Sequence, residues 1–264
     1  MAEVARWAAQ SAMSDPEEFA EMVGQLPAGA SALSKIIQGV LIHLAYLSAY
    51  GLDEGAYAER SRETLPVAER LRRIFEIDRA PLEIARPPAK RSLSTCRDFA
   101  LMICALLRAG GAPARLRCGF AAYLGAAWED HWLCEYWDAS AALWRLADAQ
   151  LDDRLCARLQ IAFDPSDVPR GSFLTAGEAW ADCRTGRREA ANFGQSPTFG
   201  LWFMHVNVVR DHYALNNRET SSWDGWRAAP GPRRIIAPED FARLDALADR
   251  PESPLTKMTP RWLA

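Results

Sequence analysis

A chain of 264 residues, 49% hydrophobic and 25% charged, is long enough for one large domain or two small ones and needs no disulfide staples to bury a core. Its net charge of −3 argues against nucleic acid or an anionic membrane as the main partner. The opening residues M-A-E-V-A-R-W-A-A-Q-S-A-M-S-D-P-E-E-F hold acids and no sustained apolar run, so no secretory signal is expected and the expected compartment is cytoplasmic, where cysteines are thiols.

The first part of the chain reads as helical. Ser14-Asp15-Pro16-Glu17-Glu18 is a helix start, with a capping residue, a proline in the first turn and acids facing the dipole. A second helix is expected over Ser31–Tyr50, ended by Gly51, and a third over Glu54–Phe75, with apolar positions at Leu65, Val67, Leu71 and Phe75. The most apolar run, Ile36 to Tyr50, contains Gln38 and His43 and falls short of the ~20 residues that span a bilayer, so it reads as a buried helix. Residues 78–91, D-R-A-P-L-E-I-A-R-P-P-A-K-R, are rich in proline and positive charge and form a loop or an extended arm.

Thr95 then serves as N-cap, with Asp98 as the acidic partner of a capping box. Ala100, Leu101, Ile103, Cys104, Leu106 and Leu107 cover most of the following helix, which is therefore central, and Gly110-Gly111 ends it. From there the period changes. Residues 114–123, 131–138 and 143–149 alternate, carry β-prone side chains and follow one another closely, as an antiparallel meander does. Helices return at Asp153–Ile161, Thr175–Arg184, Leu201–Leu215 and Pro238–Ala248, while residues 228–234 and the tail after Arg250 read as surface segments. The fold class is α+β, a buried helix packed on a small antiparallel sheet with further helices at both ends. One domain over 1–264 is expected, with a helical part at 1–90, a core at 91–152 and a second helical part at 153–264.

The six cysteines, at 96, 104, 118, 134, 156 and 183, include no C-x-x-C pair, so neither a zinc framework nor any other cofactor is expected. His205 and His212 lie seven residues apart with no third ligand in view, and metal binding is not expected. Cys104, Cys118, Cys134 and Cys156 sit inside apolar patterns and read as small core residues. Cys96 differs, because it lies among Ser94, Thr95, Arg97 and Asp98 where the helix opens. Unpaired N–H groups and the helix dipole there favour a thiolate and could hold an oxyanion on an attacked carbonyl. His131, at the head of one expected strand, and Asp148, at the end of the next, are candidates for base and orienting carboxylate. Cys96 could equally be core filler, His131 an edge residue and Asp148 a turn residue, with Asp130, Asp138 and Asp152 competing for the last role.

The stretch S-T-C-R-D-F-A-L-M-I-C-A-L-L-R-A-G-G-A-P-A-R-L-R-C-G-F resembles the core motif of the transglutaminase-like superfamily, in which a nucleophilic cysteine opens a helix followed by a G-x-P-A-R turn and a strand. D-H-W-L-C-E-Y-W is similar to the family's histidine strand, and W-R-L-A-D-A-Q-L-D to the strand carrying its aspartate. The resemblance covers about residues 90–152 and implies a papain-like core in which Cys96 is the nucleophile, His131 the base and acid, and Asp148 the orienting carboxylate. It departs from the family where Ala149-Gln150 follows the aspartate. The segment from Leu201 to Trp226 resembles the C-terminal part of bacterial transglutaminase-like proteins of unassigned function. Asn207, Asp211 and Asp224 within it fit one side of a pocket walled by Trp202, Trp223 and Trp226, and Trp132 beside His131 joins the expected substrate contacts, unless the segment is a capped helix and an aromatic plug closing the core.

The function these residues imply is thiol-dependent acyl transfer through an acyl-thioenzyme, forming or exchanging amide bonds on a small-molecule or carrier-linked, thioester-type donor with an amine as acceptor. A cysteine hydrolase using water is the alternative, and a non-catalytic protein-binding module on the same fold a second. A thiol redox protein is disfavoured, since Cys104, two helical turns beyond Cys96, is too distant for an unstrained bridge. No nucleic acid or membrane partner is expected.

Overall fold

In the computed structural model residues 2–57, 65–125, 127–219 and 236–255 are described, and contacts divide the chain into two units. The first comprises residues 1–116 and 133–168, the second 117–132 and 169–264.

The first unit begins with α1 (Ala2–Ala5), α2 (Ala20–Gly24) and α3 (Ala30–Val40). The expected helix over Ser31–Tyr50 is interrupted. After Val40 the chain extends as β1 (Leu41–His43), then tightens into a 3-10 turn over Leu44–Tyr50 before Gly51 closes it in the left-handed region, at φ 72°. The interruption has a partner as its cause: β1 runs parallel to β2 (Ser92–Ser94), with His43 opposite Ser94, and interstrand bonding outweighs the modest helix preference of Leu-Ile-His. The proline-rich arm supports this break, since Arg86 N–H donates to the Gly39 carbonyl at 2.8 Å and so satisfies an orphan group at the end of α3.

α4 (Val67–Ile77) follows Pro66, and residues 58–64 of the helix expected over Glu54–Phe75 lie outside the described residues. α5 (Cys96–Ala109) matches the expected helix, including its capping box and its stop at Gly110. It is buried along most of its length and packs against α2, α3 and α4. β3 (Ala114–Ala121) and β4 (Trp128–Asp138) each run through both units, and β5 (Leu143–Ala147) and α6 (Asp153–Leu159) complete the first. In it β4 lies between β3 and β5, antiparallel to β5 with Cys134 opposite Ala147, as a meander requires. Cys104 of α5 and Cys134 of β4, both free and fully buried, bring their sulfurs to 3.0 Å. Burial first, and the neighbouring thiol second, push the Cys134 thiol up.

The second unit adds β6 (Phe173–Thr175), α7 (Ala176–Arg184), β7 (Phe193–Gln195), β8 (Thr198–Phe199), α8 (Leu201–Ala214) and α9 (Pro238–Asp249). Its sheet order is β6-β3-β4-β7-β8, with β6 antiparallel to β3 and β7 parallel to β4. Gly119 faces Thr175 across the first of these pairs, where a Cβ would collide with the Leu174 carbonyl. Phe120, Trp180, Phe193, Phe203, Met204 and Val206 form the core of this unit. The α+β class holds, and β6, β7 and β8 are the strands too short for alternation to reveal. Residues 228–234, expected at the surface, lie outside the described residues, as does the tail from 256.

Candidate active site

Cys96 is the first residue of α5 and is half-buried. The cap beneath it is built from the chain's own polar residues. Thr95 N–H donates to Asp98 Oδ2 at 2.8 Å, and the Thr95 hydroxyl donates to the same oxygen at 3.1 Å. Arg70, buried on α4, pairs its Nη2 with Asp98 Oδ1 at 3.3 Å and donates from Nη1 to the Ser92 hydroxyl and the Leu93 carbonyl. One guanidinium thus ties β2, the cap and α4 together around the cysteine. A thiol at this position meets the positive end of the helix dipole and backbone N–H groups that make no intrahelical bond.

His131 is the fourth residue of β4 rather than its first, because pairing with β7 extends the strand back to Trp128. Its ring is 1% exposed and meets Tyr123 edge-on, with centroids 6.0 Å apart. The preceding residue, Asp130, accepts a 2.7 Å bond from Asn207 Nδ2 on α8. One turn on, Asp211 accepts from Arg117 at 3.0 and 2.8 Å and from the Cys118 N–H at 2.9 Å. Asn207 and Asp211 are both buried and are bonded within their own unit, to β4, to β3 and, through Asn207 Oδ1, to Arg210 of α8.

Asp148 is the first residue past β5 and is 2% exposed. Its backbone N–H donates to the Pro165 carbonyl at 2.8 Å, and its Oδ1 accepts from the Gln150 N–H at 3.1 Å. Gln38 of α3 closes the turn, donating from Nε2 to the Ala149 and Leu151 carbonyls at 3.2 and 3.0 Å. The competing acids are engaged elsewhere. Asp138 binds Arg145 and Ser140, Asp152 caps α6 and accepts from the Tyr50 hydroxyl, and Asp130 holds Asn207.

Cys96 and Asp148 belong to the first unit and His131 to the second. Of the expected substrate contacts, Trp132 is fully buried, with an indole N–H that has no hydrogen-bond partner among the described residues, and Trp202 packs edge-on against His205 in the core of the second unit. Trp223, Asp224 and Trp226 lie outside the described residues. His205 and His212 place their Nδ1 atoms against the Trp202 and Pro251 carbonyls. Among the described residues no group of three or more His, Cys, Asp or Glu side chains could hold a metal ion, and no helix is long and apolar enough to cross a membrane.

Residues 69–149 match the transglutaminase-like superfamily. The chain carries a transglutaminase-like domain. No curated protein matches it. Among solved structures it is similar to a protein from Cytophaga hutchinsonii, provisionally classed as a cysteine protease, at 17% identity and a TM-score of 0.40 over 66% of this chain and 45% of that one. The chain therefore spans less than half the length of that protein.

The transglutaminase-like segment contains Cys96, His131 and Asp148 and also a residue that the motif reading missed, Arg70. Its signal was present: Arg70 falls in the stripe of Val67, Leu71 and Ile74, and an arginine on an apolar helical face needs a buried partner. Gln38 lies outside the segment, and nothing in its local sequence announces a bond to residues more than a hundred positions away.

Proposed function

We propose that this transglutaminase-like protein is a thiol-dependent acyl-transfer enzyme in which Cys96 is the nucleophile, His131 the general base and acid, and Asp148 the carboxylate that orients the imidazole. The observation that carries the reading is the position of Cys96. It alone of the six cysteines opens a helix, on a cap braced by Asp98 and Arg70, within the segment that matches the superfamily. The Cys96 thiolate attacks an acyl carbonyl, and the developing oxyanion is held by N–H groups at the start of α5. His131, as imidazolium, protonates the leaving group as the tetrahedral intermediate collapses to an acyl thioester. An amine then surrenders its proton to His131 and attacks the thioester, releasing an amide and restoring the thiolate. The donor is a small-molecule or carrier-linked acyl compound, and the protein works in the cytoplasm.

Incubation with a panel of acyl thioesters and amides, followed by mass spectrometry of the intact protein, tests this. An acyl adduct on Cys96 is expected, lost in Cys96→Ala and discharged faster when an amine is added. Discharge at the same rate with and without amine would make water the acceptor and the enzyme a hydrolase. No adduct from any donor would favour a binding module over an enzyme.

A further inference from the structure

Asp148 is held by an unusual route. Its Oδ1 accepts from the Gln150 N–H, which belongs to the same peptide unit as the Ala149 carbonyl. Gln38 Nε2 donates to that carbonyl, and also to the Leu151 carbonyl two peptides further on. A trans peptide is planar, with its C=O and N–H pointing in opposite directions. The 149–150 plane is therefore gripped at both ends, by the Gln38 amide on one side and by the Asp148 carboxylate on the other. Rotation of the plane breaks both bonds together. A carbonyl that accepts a bond also makes the N–H of its own peptide a better donor, so the two contacts reinforce each other.

We infer that Gln38 is a positioning residue for Asp148, setting the direction of its carboxylate through the Ala149–Gln150 peptide. The inference rests on the Cys96–His131–Asp148 reading. It assigns a role in the chemistry to a residue of α3 that lies outside the matched segment. Gln38 is half-buried, so a side chain of similar length without donors can occupy the site.

The test follows the rate of Cys96 alkylation by iodoacetamide as a function of pH. In the native chain the rate falls on the acid side where the thiolate–imidazolium pair is lost. A misdirected carboxylate lets the imidazolium turn away from the Cys96 thiolate and weakens the ion pair, so in Gln38→Met this acid limb moves up by roughly one pH unit, about a tenfold loss of rate on its slope. A purely structural role for Gln38 would lower the melting temperature and leave the limb in place. Gln38→Asn, which keeps the amide but is one methylene too short to reach both carbonyls, shifts the limb in the same direction and serves if the methionine variant does not fold. In an Asp148→Asn background neither substitution should move the limb further, because the group being positioned is already lost. An unmoved limb in folded Gln38 variants, or an equal further shift in the Asp148→Asn background, overturns the inference alone. A native chain whose Cys96 labels with no dependence on His131 overturns the triad itself, and this inference with it.

Discussion

His205 illustrates what burial does to a titratable side chain in this protein. It is 4% exposed, and burial pushes its pKa down to about 4 from the usual 6.5. Its Nδ1–H donates to the Trp202 carbonyl at 2.6 Å, and the ring stays neutral in the fold. In the unfolded chain the same ring takes up a proton near its ordinary value, so between these two pKa values the unfolded state binds more protons. Stability is therefore fully present above pH 6.5 and falls as pH drops towards 4, by about 3 kcal/mol for this one group. Urea melts across that window should show the decline, and His205→Gln should flatten it; identical slopes in the two proteins would contradict the account. At this scale the sequence was most informative where a residue's role is local. The cap of Thr95 and Asp98, and Cys96 just inside it, are legible from a spacing of three. Arg70 and Gln38 act on partners brought close only by folding, which local spacing cannot express.

Elements are fastened by such long-range polar bonds as well as by apolar packing. α8 presents Asn207 and Asp211 to the strands, and Asp211 alone accepts from both Arg117 and the Cys118 N–H in a region nearly closed to water. Removing one member of a buried pair leaves the other charge without its counterion. Asp211→Ala should therefore cost about 3–5 kcal/mol by chemical denaturation. Arg72→Ala, which breaks an exposed pair with Glu17 and Glu18, should change little, since water replaces what is lost there. Equal effects from the two substitutions would show that the α8 contact is not the clamp described. The same bonds explain why the helical spacing of Asn207 and Asp211 could suggest a pocket wall. Polar groups on one helical face have the same pattern whether they meet a ligand or a sheet edge. α5 was legible because its capping box, apolar stripe and glycine stop are encoded within the helix, and α7 carries a capping box of its own in Thr175 and Glu178. The break at Leu41 was not, because the strand that stabilises it arrives about fifty residues later.

On the scale of the whole molecule, the superfamily match begins on α4 and ends just after Asp148, leaving the N-terminal helices and everything from α6 onward outside it. Two strands, β3 and β4, run through both units, so the candidate nucleophile and carboxylate sit in one unit and the candidate histidine in the other. The order of the cysteine, histidine and aspartate blocks was readable along the chain; the division of the fold was not, because it cuts two continuous strands where no linker or change of composition marks it. The central claim is that Cys96 is an activated nucleophile, and the molecule supplies its own controls. Cys156 and Cys183 are also half-buried, and burial raises both thiols, Cys183 to about 11, while Cys104, Cys118 and Cys134 are buried. Competitive labelling of the native protein with iodoacetamide at neutral pH, read out by peptide mass spectrometry, should modify Cys96 well before the other five, and His131→Ala should remove most of that advantage. Labelling of Cys96 no faster than Cys156 and Cys183, and indifferent to His131, would contradict the account.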